Sequence, residues 1–240
     1  MKNPFRGLML NWHRIADTRQ ITLDGVRIST DSQTTPRSVR SALFKGTYES
    51  HERKIVRRFL KPEHRVLEIG TGIGLVSLVC ARICGAEKVL SYEANLRLEP
   101  IIRSNYALNG LTPNLHMRAI TVDGNPITFF RNDNVVSSST LERGGDVEKV
   151  KVESDRFDNV LATHRPDVVI MDVEGAEINL LSGSTLAGVK HIIVEIHPHI
   201  TGEEQVAAMM AALKDKGFEP HVHEHKTIML SARTRLEASH

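Results

Sequence analysis

Large aromatic side chains are scarce: one tryptophan, three tyrosines and seven phenylalanines make up 5% of the 240 residues. A pocket of this chain need not be an aromatic clamp, which favours a polar or sugar-like ligand over a flat phenol. Cysteine is almost missing too. Cys80 and Cys84 lie four apart on an expected helix, a spacing that cannot bridge two elements, and further ligands for zinc are lacking. Reduced, buried thiols are expected. The formal charge of +2 implies neither a nucleic-acid nor a membrane partner, and the local cluster Arg53, Lys54, Arg57 and Arg58 reads as a solvated helix face. No apolar run approaches the ~18 to 20 residues that span a bilayer, and the first six residues lack a signal-peptide core. The expected location is cytoplasmic.

What is present is an ordinary core-forming composition, 40% hydrophobic and 25% charged, enough for one α/β domain. Short β-branched runs alternate with longer amphipathic segments, the pattern of parallel strands joined by crossover helices. Strands are expected at 65–69, 88–92, 115–122, 167–171 and 191–196, and helices at 75–84, 96–108 and 203–216. The runs 218–225 and 226–232 have almost no connector, so they must be antiparallel and close one edge. The fold class is a Rossmann-like, doubly wound, mostly parallel seven-stranded sheet with an antiparallel edge hairpin. Residues 1–45 form an N-terminal cap, 46–233 the main domain and 234–240 a tail. Within the domain, 124–153 breaks the rhythm with Gly124, Asn125, Pro126, Ser137–Ser139 and Gly144–Gly145, giving a β-rich insertion placed over the pocket.

The chemistry concentrates after the first strand, in Glu68-Ile-Gly70-Thr71-Gly72-Ile-Gly74. Alternate glycines let backbone approach a nucleotide closely. A dinucleotide fingerprint needs its third glycine at position 75, which is Leu75, and Glu68 would repel a pyrophosphate. A carboxylate at that position instead attracts the ammonium and sulfonium charges of S-adenosylmethionine. Glu93 ends the second strand, where a carboxylate can accept from both ribose hydroxyls. Asp123 ends the third and could accept from the adenine amine, although backbone groups can serve equally.

The next two strands end in Asp172-Val-Glu174-Gly-Ala-Glu177 and Glu195-Ile-His197-Pro-His199. Acids gathered at one pocket repel each other unless a cation, a proton or hydrogen bonds compensate. Asp172, Glu195 and His197 are the candidates for the base. Glu177 and His199 read more simply as a residue favouring a helix N-terminus and a loop histidine.

These motifs, with Tyr92-Glu93-Ala94, Leu180-Leu181, Val194-Glu-Ile-His197 and Tyr48-Glu49, resemble the FkbM family of S-adenosylmethionine-dependent methyltransferases over roughly residues 46–198. The first motif departs from the Asp-Ile-Gly-Ala-Asn of many members but keeps the carboxylate. The resemblance implies a class I methyltransferase fold, mostly O-methylation, acceptors such as sugar or polyketide hydroxyls, and donor contacts from Ala94 and Glu49. The expected donor set is then Glu49, Glu68, Gly70, Thr71, Gly72, Gly74, Glu93, Ala94, Asp123 and Asp172. The partner is a small-molecule or glycan acceptor. N-methylation of a small amine, an NAD-dependent oxidoreductase and a non-catalytic donor-binding module are the alternatives.

No metal is expected. Mg²⁺ or Ca²⁺ on Asp172, Glu174, Glu195 and His197 is the lesser reading, and so is zinc or nickel on the alternating His221, His223 and His225.

Overall fold

A computed structural model describes residues 18–131 and 148–233. The Ser137–Ser139 and Gly144–Gly145 tracts, the 234–240 tail and the first 17 residues of the expected cap lie outside that range.

The described chain opens with strands β1 (Gln20–Leu23) and β2 (Val26–Ser29), then helices α1 (Arg37–Lys45) and α2 (Ser50–Phe59). Alternation follows: β3 (Val66–Ile69), α3 (Leu75–Cys84), β4 (Val89–Tyr92), α4 (Glu99–Leu108) and β5 (Asn114–His116). Next come β6 (Ala119–Thr121), β7 (Ile127–Arg131), β8 (Glu148–Val152), β9 (Ser154–Arg156) and α5 (Phe157–His164). The chain closes with β10 (Val168–Met171), α6 (Glu177–Gly183), β11 (His191–Glu195), the single turn α7 (Pro198–Thr201), α8 (Glu203–Asp215), β12 (Phe218–Glu224) and β13 (Thr227–Ala232).

Seven strands form one sheet in the order β12-β13-β11-β10-β3-β4-β5. All neighbouring pairs from β11 to β5 are parallel; β13 runs antiparallel to both of its neighbours, β11 and β12, so it alone is reversed. Strands β3, β4 and β10 are buried along their whole length, as parallel strands covered on both faces must be. One face packs on α2, α3, α4 and the β1–β2 hairpin through Val26, Ile55, Leu75, Leu78 and Ile102. The other packs on α5, α6 and α8 through Phe157, Leu181, Met209 and Leu213. Cys80 and Cys84 are buried free thiols within the first layer.

Two expectations are corrected here. The single strand expected over 115–122 is two strands in two sheets: β5 ends at His116, and β6 leaves to pair in parallel with β9. The amide of Ala119 donates to the Glu153 carbonyl, so pairing outside the main sheet satisfies the backbone there. Nor is the 53–58 cluster wholly solvated. Arg53 is buried and ion-paired with Asp24 in the β1–β2 turn, and it donates to the carbonyls of Gly46 (3.0 Å) and Tyr48 (2.9 Å). Arg57 also pairs with Asp24, and Lys54 with Glu224.

Asn105, fully buried on α4, ties the N-terminal hairpin to the glycine segment. Its Oδ1 accepts from the Ser29 amide (2.9 Å) and its Nδ2 donates to the Ile73 carbonyl (2.8 Å). Asn105→Ala leaves both backbone groups unpaired, so urea unfolding should show a loss of about 1–3 kcal/mol per abandoned group. A variant as stable as the parent would show that water replaces the amide.

Candidate active site

In the sheet the chain winds one way from β3 to β4 and the other way to β10, and open α/β sheets leave their crevice at that reversal, beyond the carboxyl ends of the strands. A crevice of about 860 Å³, open to solvent, lies there. Its walls include Tyr48, Glu49, Gly70, Gly72, Glu93, Ala94, Asp172 and Glu174. Arg118, Ala119 and Ile120 close one side, and Ile127 brings the β7 hairpin to the rim.

The glycine segment is held by the two strands beside it. The amides of Gly70 and Thr71 donate to the Tyr92 carbonyl (2.9 and 3.2 Å), and the Asp172 amide donates to the Ile69 carbonyl (3.0 Å). Gly70 has φ +84°, and a Cβ there would sit 1.9 Å from the Asp172 carbonyl oxygen, so only glycine lets these exits pass. At Gly72 a Cβ would meet the Tyr48 hydroxyl at 3.0 Å and Glu49 Oε1 at 3.1 Å, so the Tyr48-Glu49 pair roofs the segment.

Not every residue of the motif faces the crevice. Gly74 starts α3 and packs against Ile102, while the buried Thr71 hydroxyl lies 3.0 Å from Ser77 Oγ. Glu68 accepts from Ser91 Oγ (3.0 Å) and lies beside a small gap that Glu49, Glu52 and Asp172 also border. It supports the segment from beneath and is not among the residues that line the crevice. Asp123 is exposed and absent from the crevice wall. Its carboxylate accepts from the backbone and side chain of Asn125 (3.0 and 2.7 Å), because β6 has carried it away from the main sheet.

Glu93 lies in the wall as expected, with Oε2 accepting from the Gly72 amide (2.9 Å) and Oε1 from the Asn95 amide (2.8 Å). Burial nonetheless pushes its pKa up to about 7, against the pull of those amides. Its oxygens keep further lone pairs for a ligand's hydroxyls.

Among the described residues, two buried side-chain oxygens have no hydrogen-bond partner, Glu49 Oε2 and Asp172 Oδ1. Both belong to crevice residues. Burial raises the pKa of Glu49, and the charges of Glu68, Glu52 and Asp172 add to it. Asp172 is raised by burial and then by Glu195, with His197 opposing. Enclosed carboxylate oxygens without donors are costly, and a ligand carrying ammonium or sulfonium charge would satisfy them.

Asp172 also connects the crevice to the other predicted residues. Its Oδ1 is 3.6 Å from His197 Nε2, and Glu195 Oε1 is 3.8 Å from the same nitrogen. Glu195 and His197 thus stand behind Asp172 and do not line the crevice. Glu177, read from sequence as a helix-start residue, is fully buried; its Oε1 lies 3.3 Å from His197 Nδ1 and accepts from the His197 amide (3.2 Å), while Oε2 accepts from Gly175 (2.7 Å). A donor at Nδ1 leaves Nε2 of the neutral ring with its lone pair toward Asp172 and Glu195. Burial would lower the His197 pKa, but the Glu177 bond and the neighbouring carboxylates outweigh it, and the net direction is upward. His199 sits 5.8 Å from His197, ring to ring, on α7. The edge histidines stay apart from all this: His221 meets Phe59 edge-on, and His225 stacks on His51 beyond the end of β12.

A glycine segment at the sheet reversal, an acid at the end of the second strand and a carboxylate-rich floor define an α/β methyltransferase of the Rossmann-like kind. The chain belongs to the FkbM methyltransferase family, whose domain matches residues 68–220. It is 28% identical to methyltransferase sdnD of Sordaria araneosa over 197 residues, 64% of this chain and 73% of that protein. A methyltransferase from Pyrococcus furiosus superimposes with a TM-score of 0.50 at 14% identity, covering 94% of this chain and 97% of that one. A methyltransferase FkbM from Methylobacillus flagellatus gives 0.45 at 12%, covering 83% and 56%.

Glu93 supplies a pH test of the site. Its folded pKa of about 7 exceeds the usual carboxylate value, so the native state binds the proton more tightly, and this group's contribution to stability falls as pH rises from about 4.5 to 7. Other buried acids slope the same way. The difference in unfolding free energy between the parent and Glu93→Gln should therefore change by about 3 kcal/mol over that window, and a flat difference would mean that Glu93 titrates normally.

Proposed function

We propose that the chain uses S-adenosylmethionine to methylate a hydroxyl oxygen of a sugar, glycan or polyketide-like acceptor. The observation that carries this reading is the pair of enclosed, unpartnered carboxylate oxygens, Glu49 Oε2 and Asp172 Oδ1, on residues that line a glycine-containing crevice. An anionic pyrophosphate would worsen their repulsion; a sulfonium compound with an α-ammonium relieves it. The same acidity disfavours a nucleic-acid acceptor, whose phosphates would meet Glu49, Glu174 and Asp172 at the wall.

The bound donor would supply an electrophilic methyl group and so do the hard chemistry itself. Glu93 and Ala94 hold its ribose end, the glycine amides approach its chain, and Glu49 with Asp172 hold its positive charges. Arg118–Ile120 and the Ile127 hairpin wall the remaining space, where the acceptor is positioned. Positioning supplies much of the rate in such a displacement. An aliphatic hydroxyl is too weak an acid to ionise beforehand, so its proton leaves as the new bond forms. Asp172 is the residue of the cluster that lines the crevice, and it takes that proton, with His197 and Glu195 behind it setting its charge state.

Asp172→Asn should lower turnover by about 10²–10⁴-fold, measured as S-adenosylhomocysteine released with hydroxyl acceptors. His197→Ala should lower it while leaving S-adenosylhomocysteine affinity by calorimetry within about two-fold, since His197 lies outside the wall. Unchanged turnover in both variants removes the cluster from the mechanism, and methyl transfer to amines alone overturns the O-methyl assignment.

A further inference from the structure

His197 is the residue whose surroundings the methyl-donor reading leaves least explained. Its side chain is 5% exposed and lies within 3.8 Å of three carboxylates, Asp172, Glu177 and Glu195. Protonation of one imidazole offsets a single charge of the three. Glu177 has a structural task, fixing Nδ1 and the His197 amide. The other ring nitrogen has none: Nε2 stands 3.6 and 3.8 Å from Asp172 Oδ1 and Glu195 Oε1, too far for hydrogen bonds. Asp172 Oδ1 itself is enclosed and has no hydrogen bond. The ring nitrogen of a largely buried histidine and an enclosed carboxylate oxygen therefore lie 3.6 Å apart without a hydrogen bond between them.

We propose that Asp172, Glu195 and His197 form a binding site for one divalent cation of the Mg²⁺ and Mn²⁺ class. The three donor atoms lie within 4.8 Å of one another. That span is about twice the 2.0–2.1 Å bond of Mg²⁺, so small side-chain movements bring all three into one coordination sphere. Two carboxylates and one imidazole suit a hard to borderline ion, and three protein ligands leave positions open for water or an acceptor oxygen. Glu177 completes the pattern as a positioning residue. A carboxylate on the far nitrogen of a ligating histidine fixes ring and tautomer, and it raises the ligand's basicity.

Glu195 and His197 do not line the crevice, so the ion would sit beside Asp172 on their side of it and would meet part of the negative charge that the donor otherwise meets. Its charge would favour the ionised form of Asp172, the form that takes the acceptor's proton through the oxygen not used as a ligand. This role rests on the methyl-transfer reading; the ion site itself does not.

The test is a Mn²⁺ titration of chelator-treated full-length protein followed by electron paramagnetic resonance, with S-adenosylhomocysteine binding measured in parallel. One bound Mn²⁺ per chain, displaced by Mg²⁺, is expected. Glu195→Gln, His197→Ala and, through ring orientation, Glu177→Gln should each weaken binding by about 10-fold or more, with circular dichroism showing that each variant folds. Mn²⁺ remaining free in the presence of the parent protein at millimolar concentrations, or binding the folded variants as tightly as the parent, overturns the site. Mn²⁺ binding with loss in the variants, but without S-adenosylhomocysteine binding, upholds the ion site and overturns the donor reading instead.

Discussion

Repulsion among carboxylates gathered at the ends of adjacent strands is the constraint around which this fold is arranged. Glu49, Glu93, Asp172 and Glu174 share one crevice wall, and Glu68 and Glu52 lie just beneath it. Each would be better solvated elsewhere, and burial raises the pKa of Glu49, Glu68, Glu93 and Asp172 alike. The structure answers this cost in three distinct ways. Glu93 is compensated by two backbone amides, Glu68 by hydroxyls, and Glu177 by an imidazole and two amides. Glu49 and Asp172 each keep one buried oxygen without a hydrogen-bond partner.

The sheet makes such crowding possible. Parallel strands deliver their carboxyl ends to the same edge, and the reversal between β3 and β10 opens a gap there instead of a packed seam. Gly70 lets the two exits pass at a separation that no side chain could share. The pocket is therefore a consequence of topology first and of side chains second.

Much of this was legible in the sequence. Apolar runs and their spacing marked the strands and helices of the main sheet, since β3, β4 and β10 are buried throughout and carry unbroken hydrophobic signals. Glu93 and Asp172 were placed by their position directly after such strands. The errors arose where local pattern and tertiary pairing part company. Residues 115–122 carry one strand-like run, but pairing with β9 divides it and takes Asp123 off the sheet edge. Arg53 belongs to a charged run, yet its burial depends on Asp24 in a hairpin far along the chain. Glu177 has the composition of an ordinary helix start, and only the return of His197 from β11 shows what it holds. A carboxylate five residues after Asp172, set against a histidine two after Glu195, was the available signal.

The bracing of Arg53 bears on how ligands reach the crevice. Its guanidinium holds the Gly46 and Tyr48 carbonyls and the β1–β2 turn, so the segment carrying Tyr48 and Glu49 is anchored to the core at both ends of its bend. A roof fastened this way cannot serve as a flap. Tyr48 and Glu49 are thereby held over Gly72, and the crevice keeps that wall preformed.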